Sequence, residues 1–183
     1  MMLTKQRQQT GYEALRADFG YTSPMQAPRI SKVIVSSGVG RKREKKQLEL
    51  ITERLARITG QKPSPRSAKV SIASFKVREG DIVGLQVTLR GPRMFDFLDK
   101  LIHIALPRTR DFRGLPVSAI DDMGNLTIGI KEHTIFPETS DEDLKDVFGL
   151  AVTIVTTAES KKEAEAFLRH LGLPLVAKKE GKK

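Results

Sequence analysis

This chain predicts an α+β fold: one two-layer domain in which a mixed, mostly antiparallel sheet carries helices on one face. Three observations lead there. Some segments alternate apolar and polar residues with period two, others space apolar residues three and four apart, and several strand-like segments follow one another directly. With 183 residues, no internal repeat and no long linker, residues 1–183 read as a single domain, with an N-terminal helical segment at 1–20 and a basic tail at 178–183.

Each element has a local reason. From about Leu3 to Phe19, Tyr12, Leu15 and Phe19 give a polar helix one apolar edge, and Gly20 ends it before the loop of Pro24 and Pro28. RISKVIVS, Arg29 to Ser36, alternates and is β-branched, hence a strand. After Gly40 a second helix places Leu48, Ile51, Leu55 and Ile58 on one face and stops at Gly60. GQKPSPRSA, Gly60 to Ala68, reads as a loop, Lys69 to Ser74 as a short strand, and Phe75 to Asp81 as an exposed turn. Ile82 to Leu89 alternates again. Pro92 suits the first turn of a helix whose stripe is Met94, Phe97, Leu98, Leu101 and Ala105. Val117 to Ile120 and Asn125 to Ile130 read as strands around the turn DDMG. Glu132 to Val147 is an acidic connection and Leu150 to Thr156 a buried strand. Ser160 and Glu163 then form a capping box for a last helix to about Leu171.

Charge narrows the partners. Lys and Arg number 32 against 22 acids, a net charge of +10, which favours polyanions and nucleic acid first. No cysteine is present, so disulfides, thiolate catalysis and cysteine-held zinc are excluded. No stretch approaches a span of about 18 apolar residues, and the N-terminus lacks the apolar core of a signal peptide, so no membrane partner is expected. Aromatic residues are scarce at 5%.

Gly38-Val39-Gly40 opens like a dinucleotide-binding loop, but Arg43 occupies the third glycine position, and no acid follows at the expected distance after a clean strand. Two readings remain open for it: a nucleotide cofactor loop, or a glycine turn and helix start, RKREKK, offered to a polyanion. From Gly60 to Arg78 the cations Lys62, Arg66, Lys69, Lys76 and Arg78 are interspersed with Ser and Gln and interrupted by no acid, a pattern suited to RNA phosphates and 2′-hydroxyls. Phe75 lies among them, able to stack or to pack. Arg90, Arg93, Arg108, Arg110 and Arg113 form another cluster, either phosphate-binding or paired with Asp111. His103, His133 and His170 have no metal-ligand spacing, and no nucleophile motif appears, so no catalytic or metal site and no cofactor are expected. Between Glu132 and Asp146 acids dominate. Solvation or a basic protein partner would each account for them.

TGQKP, SIASFKVREG, VTLRG and LPRTRDFRG occur in that order, followed by GNLTIGIKEHTIFPE. On these motifs, in order from about Val33 to Leu171, the chain resembles the family of large ribosomal subunit protein five, the bacterial-type 5S rRNA binders. The resemblance implies a non-enzymatic ribosomal protein in the central protuberance. Such a protein binds 5S rRNA, helps attach it to 23S rRNA and sits beside other 5S-binding ribosomal proteins, on a cytoplasmic or organellar ribosome. It implies 5S rRNA contacts at Ser36, Gly38, Gln61, Lys62, Arg66, Lys69, Thr88 and Arg90. It implies a loop toward P-site tRNA at Phe75, Lys76 and Arg78. Glu138, Asp141, Glu142 and Asp143 resemble an intersubunit bridge to a basic small-subunit head protein. The chain departs from the family pattern at Ser36-Ser37, where the family carries Asn-Met, in the turn from Ile120 to Leu126, where it carries Phe-Asp-Gly-x-Gly-Asn-Tyr, and at His133 and Val152, where it carries Gln and Asp.

Overall fold

A computed structural model describes residues 3–40, 45–110, 112–139 and 147–176. Most of RKREKK, Asp111, the acidic residues 140–146 and the tail 178–183 lie outside the described residues. The elements are α1 (Thr4–Phe19), β1 (Ile30–Gly38), α2 (Lys45–Thr59), β2 (Ser64–Ser67), β3 (Ile82–Leu89), α3 (Pro92–Lys100), α4 (Leu106–Arg108), β4 (Leu115–Pro116), β5 (Leu126–Ile130), β6 (Leu150–Thr156), α5 (Lys161–His170) and β7 (Leu175–Val176). Five strands form one sheet in the order β2-β3-β1-β6-β5, mostly antiparallel, and β4 pairs with β7 in parallel. The expected α+β class is the observed one.

The chain groups into two compact units. The first comprises Met1–Val33, Arg90–Ile128 and Thr153–Lys183, the second Ile34–Leu89 and Gly129–Val152, and β1, β5 and β6 supply residues to both.

In the first unit α1 packs with α3 and α5. Leu15 and Gly11 are buried on it, and Gly11 faces Phe167 of α5, where a Cβ would make ordinary contact with the ring at 3.7 Å. The backbone N–H of Thr4 donates to Asp99 of α3 at 2.8 Å, so a neighbouring carboxylate satisfies a helix start that carries no acid of its own. Gly20, at φ +67°, closes α1 by donating its N–H to the Arg16 carbonyl. Tyr21 donates to the buried Glu163 carboxylate, and burial followed by that carboxylate pushes the phenol well above its ordinary range. Glu163 also accepts the Glu159 N–H at 2.7 Å, while Ser160 caps α5 by accepting the Glu163 N–H. α3 carries its predicted stripe, with Met94, Phe97 and Leu98 buried, then widens into a π-turn over Leu101–Ala105. Pro107 explains the widening: it lacks an N–H for the carbonyl four residues back, and its ring would strike that carbonyl in a regular helix.

In the second unit α2 buries Ile51, Leu55 and Ile58, the residues its periodicity selected, and packs on β3. Leu85, Val87 and Leu89 are buried and alternate with the half-buried Gln86 and Thr88.

Three local expectations need correction. The loop Gly60–Ala68 contains β2, paired antiparallel with β3. Pro65 has no N–H to donate, which only an edge strand tolerates, and β2 is the edge. Lys69–Ser74 is not a strand. It bends through an isolated Ile72–Val77 bridge into a 3-10 turn at Ala73–Phe75. Val117–Ala119 is likewise a 3-10 turn, leaving only Ile120 bridged to Leu126 around the predicted DDMG turn. Asp121 accepts both the backbone and the side-chain N–H of Asn125 there, which holds its carboxyl below the usual range.

Two glycines at positive φ separate strain from crowding. Gly124, at φ +77°, would place a Cβ 3.0 Å from Ala158 Cβ, whereas Gly20 has nothing within 4 Å. Gly20→Ala is expected to cost about 1 kcal/mol from left-handed strain alone. Gly124→Ala should cost roughly 2–3 kcal/mol, because overpacking adds to the strain. Urea midpoints of the two variants measure the difference, and equal losses would contradict it.

Candidate nucleic-acid interface

The pleat of β1 and β3 sorts side chains before any chemistry begins. Val35 and Ser37 of β1 and Leu85, Val87 and Leu89 of β3 are buried. Ser36, Gly84, Gln86 and Thr88 occupy the alternate positions and remain half-exposed. The register extends this face onto β2, with Ser64 opposite Gln86 and Arg66 opposite Gly84. The Arg66 Nε donates to Gln86 Oε1 at 2.6 Å, fixing a guanidinium over the sheet without neutralising it. Gly84 allows β1 to come close, since a Cβ there would sit 3.4 Å from the Ser37 carbonyl.

Gln61 follows the helix stop at Gly60 and donates its Nε2 to the Thr88 carbonyl at 3.3 Å. That bond brings two of the sequence-predicted residues together and leaves the Gln61 side-chain oxygen as an oriented acceptor. Ser36 and Ser37 part company. Ser37 is buried and donates its hydroxyl to the Gly149 carbonyl at 2.7 Å, whereas Ser36 takes the opposite side of the strand, its hydroxyl bonded to none of the described residues. Lys62, Arg66 and Lys69 are exposed, and among the described residues no carboxylate pairs with their side chains. Ser36, Gly38, Gln61, Lys62, Arg66, Lys69 and Thr88 all belong to the second unit, while Arg90, also exposed, belongs to the first. The arginine-rich group Arg93, Arg108, Arg110 and Arg113 is exposed in the first unit too, with no described acid partner.

A cleft of about 520 Å³ lies beside Ser36 and Gly38 and is lined further by Gly129, Lys131, Gly149 and Ala151. Sequence reasoning missed these last four. The available signal was a glycine in the middle of an alternating strand, which weakens a strand by about 0.5–1 kcal/mol and marks close approach of another backbone or a ligand. For Gly149 that neighbour is internal, because a Cβ would meet the Ile130 carbonyl at 3.2 Å. For Gly129 nothing lies within 4 Å, so the described fold has no need of glycine there.

The Gly38-Val39-Gly40 turn is not the free amide cradle the sequence suggested. Val39 is buried and its N–H donates to the Val83 carbonyl at 3.0 Å, extending the β1–β3 pairing.

Residues 68–81 form a braced projection. Ala68 donates to the Asp81 carbonyl at 2.8 Å, Ile72 and Val77 exchange both N–H···O bonds, and Ser71 Oγ accepts the Glu79 N–H at 2.9 Å. Phe75 is 72% exposed near its tip, with Val70 and Ile72 also exposed. Lys76 and Arg78 line a cleft with Ser71 and meet no described carboxylate through their side chains. Among the described residues only Lys76 combines a side chain with positive φ, at 52°. Glycine would sit there at less cost, so the position keeps a cation despite the strain.

Glu138 is exposed on the short turn Pro137–Thr139, while Asp141, Glu142 and Asp143 lie outside the described residues. The root of the acidic span is firm. Thr139 is fully buried and donates to the His133 carbonyl at 3.0 Å. The His133 ring stacks on Phe148 at 4.2 Å and 9°, with the Arg54 guanidinium 3.4 Å from its Nε2. His133 is therefore a core residue of this unit.

Two family profiles match the chain: one described as ribosomal protein L5 over residues 23–78, the other as the C-terminus of the same ribosomal protein family over residues 82–175. Among curated proteins, the large ribosomal subunit protein uL5 of Rubrobacter xylanophilus is 51% identical over 88% of this chain and 90% of its own length. That of Anaeromyxobacter sp. strain K is 47% identical over 87% and 89%. That of Mycoplasma pneumoniae is 48% identical over 92% and 94%.

The two serines offer a direct check of the geometry. Ser37→Ala should lower stability by about 1 kcal/mol, because it removes the part-buried hydrogen bond that the Ser37 hydroxyl donates to the Gly149 carbonyl. Ser36→Ala should stay within about 0.5 kcal/mol of the parent, as exposed substitutions do. Chemical denaturation distinguishes them, and a reversed order would mean the strand is turned over.

Proposed function

Because the chain belongs to the ribosomal protein L5 family, structural constituents of the large ribosomal subunit with rRNA partners and no enzymatic role, we propose that the second unit is its 5S rRNA-binding surface. One observation carries this reading. An open sheet face presents the Ser36 hydroxyl, which no described residue engages, and the oriented Gln61 amide beside cations that no described acid neutralises. Lys62, Arg66 and Lys69 position the protein on phosphates, and Ser36, Gln61 and Thr88 supply directional bonds to riboses or base edges. Gly38 and Gly129 let the RNA backbone approach the cleft beside them. Through the same complex the protein helps attach 5S rRNA to 23S rRNA in the central protuberance, next to other 5S-binding proteins, with Arg90 contributing from the first unit.

The braced 68–81 projection is the contact to P-site tRNA. Its backbone bonds hold Phe75, Lys76 and Arg78 outward before any partner arrives, so little ordering entropy is lost on contact. The acidic span beginning at Glu138 forms the intersubunit bridge. On a chain of net charge +10, a negative segment repels the phosphate backbone and suits a basic protein of the small-subunit head.

Salt titration of a gel shift with 5S rRNA tests the electrostatic part. With about six phosphates engaged, affinity should fall roughly a thousandfold between about 50 and 200 mM salt, and a salt-independent complex would contradict the reading. Gln61→Ala and Lys62→Ala should both weaken binding, but only the lysine change should flatten the salt slope, by about one unit. Equal slope changes would deny Gln61 a directional role.

Gly129→Val separates partner from fold. Valine suits an extended position with open space around it, so stability should hold or rise by about 0.5–1 kcal/mol. Affinity for 5S rRNA should nevertheless drop at least tenfold. Parent affinity in a stable variant would remove RNA from that cleft.

A further inference from the structure

The first unit holds a small cavity of about 140 Å³ between α1 and the segment Pro24–Arg29, lined by Gln8, Gln9, Tyr12, Met25, Pro28 and Arg29 among others. We propose that it takes a single unstacked nucleotide of ribosomal RNA. The inference rests on the chain being an rRNA-binding protein, and it is independent of where the second unit docks.

Size excludes the larger alternatives. Sites for whole cofactors or drug-like ligands run to about 300 Å³ or more, so this one admits one ring system. The lining chemistry is that of base recognition. Tyr12 offers a half-exposed ring, backed by the Arg16 guanidinium 5.7 Å from its centroid. Met25 adds a polarisable thioether at 83% exposure. A bare anion needs neither group, whereas an extruded base is held by faces of this kind. Two amides supply the edge contacts. The Gln8 side-chain oxygen is committed to the Ile30 N–H at 3.0 Å, which leaves its Nε2 as a fixed donor, and Gln9 is exposed beside it. Arg29 supplies the phosphate contact. Its N–H and carbonyl are held by Thr157, each at 3.0 Å, and its guanidinium has no described acid partner. No carboxylate lines the cavity.

The exposure of Met25 is imposed by a rigid turn. Gln26 Oε1 accepts from the Thr22 N–H at 2.8 Å, the Thr22 hydroxyl at 3.1 Å and the Ser23 N–H at 3.2 Å, and Ser23 caps the turn by accepting the Met25 N–H. A large apolar side chain held in water by that much hydrogen bonding is an anchor placed for a partner.

The full chain is tested against 5S rRNA and against protein-free 23S rRNA, since either could supply the nucleotide. Short-wavelength ultraviolet irradiation followed by peptide mapping should give a nucleotide adduct on the peptide bearing Tyr12 or Met25, with one of the two RNAs. Met25→Ala and Gln9→Ala alter exposed residues and should keep the parent urea midpoint. Each should weaken binding to that same RNA several-fold. Tyr12→Ala should weaken it at least about tenfold, the usual size of a lost base–aromatic stack, and Tyr12→Phe should restore it. Arg29→Ala should flatten the salt slope by about one unit. Parent affinity of the Met25 and Gln9 variants for both RNAs, with no adduct on this peptide, overturns the site while leaving 5S binding by the second unit intact. A parent chain that binds neither RNA overturns both readings together.

Discussion

The period-two pleat of β1 and β3 is the constraint from which the interface follows. Val35, Leu85, Val87 and Leu89 must face inward, because α2 buries Ile51, Leu55 and Ile58 in the same unit. Burying each such side chain contributes about 1.5–3 kcal/mol, and a one-residue slip would forfeit the whole set. The intervening positions are thereby committed to the other face whatever they contain. Ser36, Gly84, Gln86 and Thr88 are small or polar, so the outer face is flat and rich in donors and acceptors. The apolar half of the pattern holds the register, and the register aims the polar half. Ser37 shows how strict the sorting is: although polar, it falls on the inner side and is accommodated only by its hydrogen bond to Gly149.

Charge is layered on this geometry without being neutralised by it. A protein that wanted stability from its cations would set acids beside them, as α2 does with Arg57 and Glu53 at 2.6 Å. Lys62, Arg66 and Lys69 are treated otherwise, and among the described residues they have no acid partner. Exposed ion pairs are worth only about 0–1 kcal/mol, so little stability is lost by leaving them out. The repulsion that results is screened within about 8 Å at physiological salt. The gain appears only when a polyanion arrives and releases its counterions.

Much of this was legible in the sequence. The stripes of α2 and α3, the alternation of β3, the apolar run of β6, the stop at Gly60 and the cap at Ser160 emerge because each rests on short-range pattern. The failures share a cause as well. β2 contains Pro65 and no apolar alternation, so nothing local marks it as a strand, and its existence depends on the distant partner β3. Val117–Ala119 is β-branched at its start but lacks a strand to pair with, and local propensity yields to a 3-10 turn. At the candidate interface, Ser36 entered only through the family resemblance, whereas Gln61 and the cations from Lys62 to Arg78 were readable because they cluster along the chain. Gly129, Lys131 and Ala151 were not, because only the sheet order, which sets β6 and β5 beyond β1, carries them toward Ser36.

His133 illustrates how a departure from a family pattern is resolved by packing. From sequence it could have been a surface change in the acidic span. The structure buries it to 1% exposure, against Phe148 and a buried Arg54. A glutamine offers a donor and an acceptor on one flexible stem, and a neutral imidazole offers the same two functions on a flat ring. The ring adds a stacking surface, and Phe148 takes it. The pairing lies next to the hydrogen bond from Thr139 to the His133 carbonyl, on the turn that carries Glu138. A negatively charged span on a strongly basic chain is pulled back toward its own cations. It can serve a separate partner only if its root is held independently of that attraction, and the packed core of Phe136, Thr139, His133 and Phe148, with the Arg54 guanidinium against the His133 ring, supplies a hold through burial and hydrogen bonding.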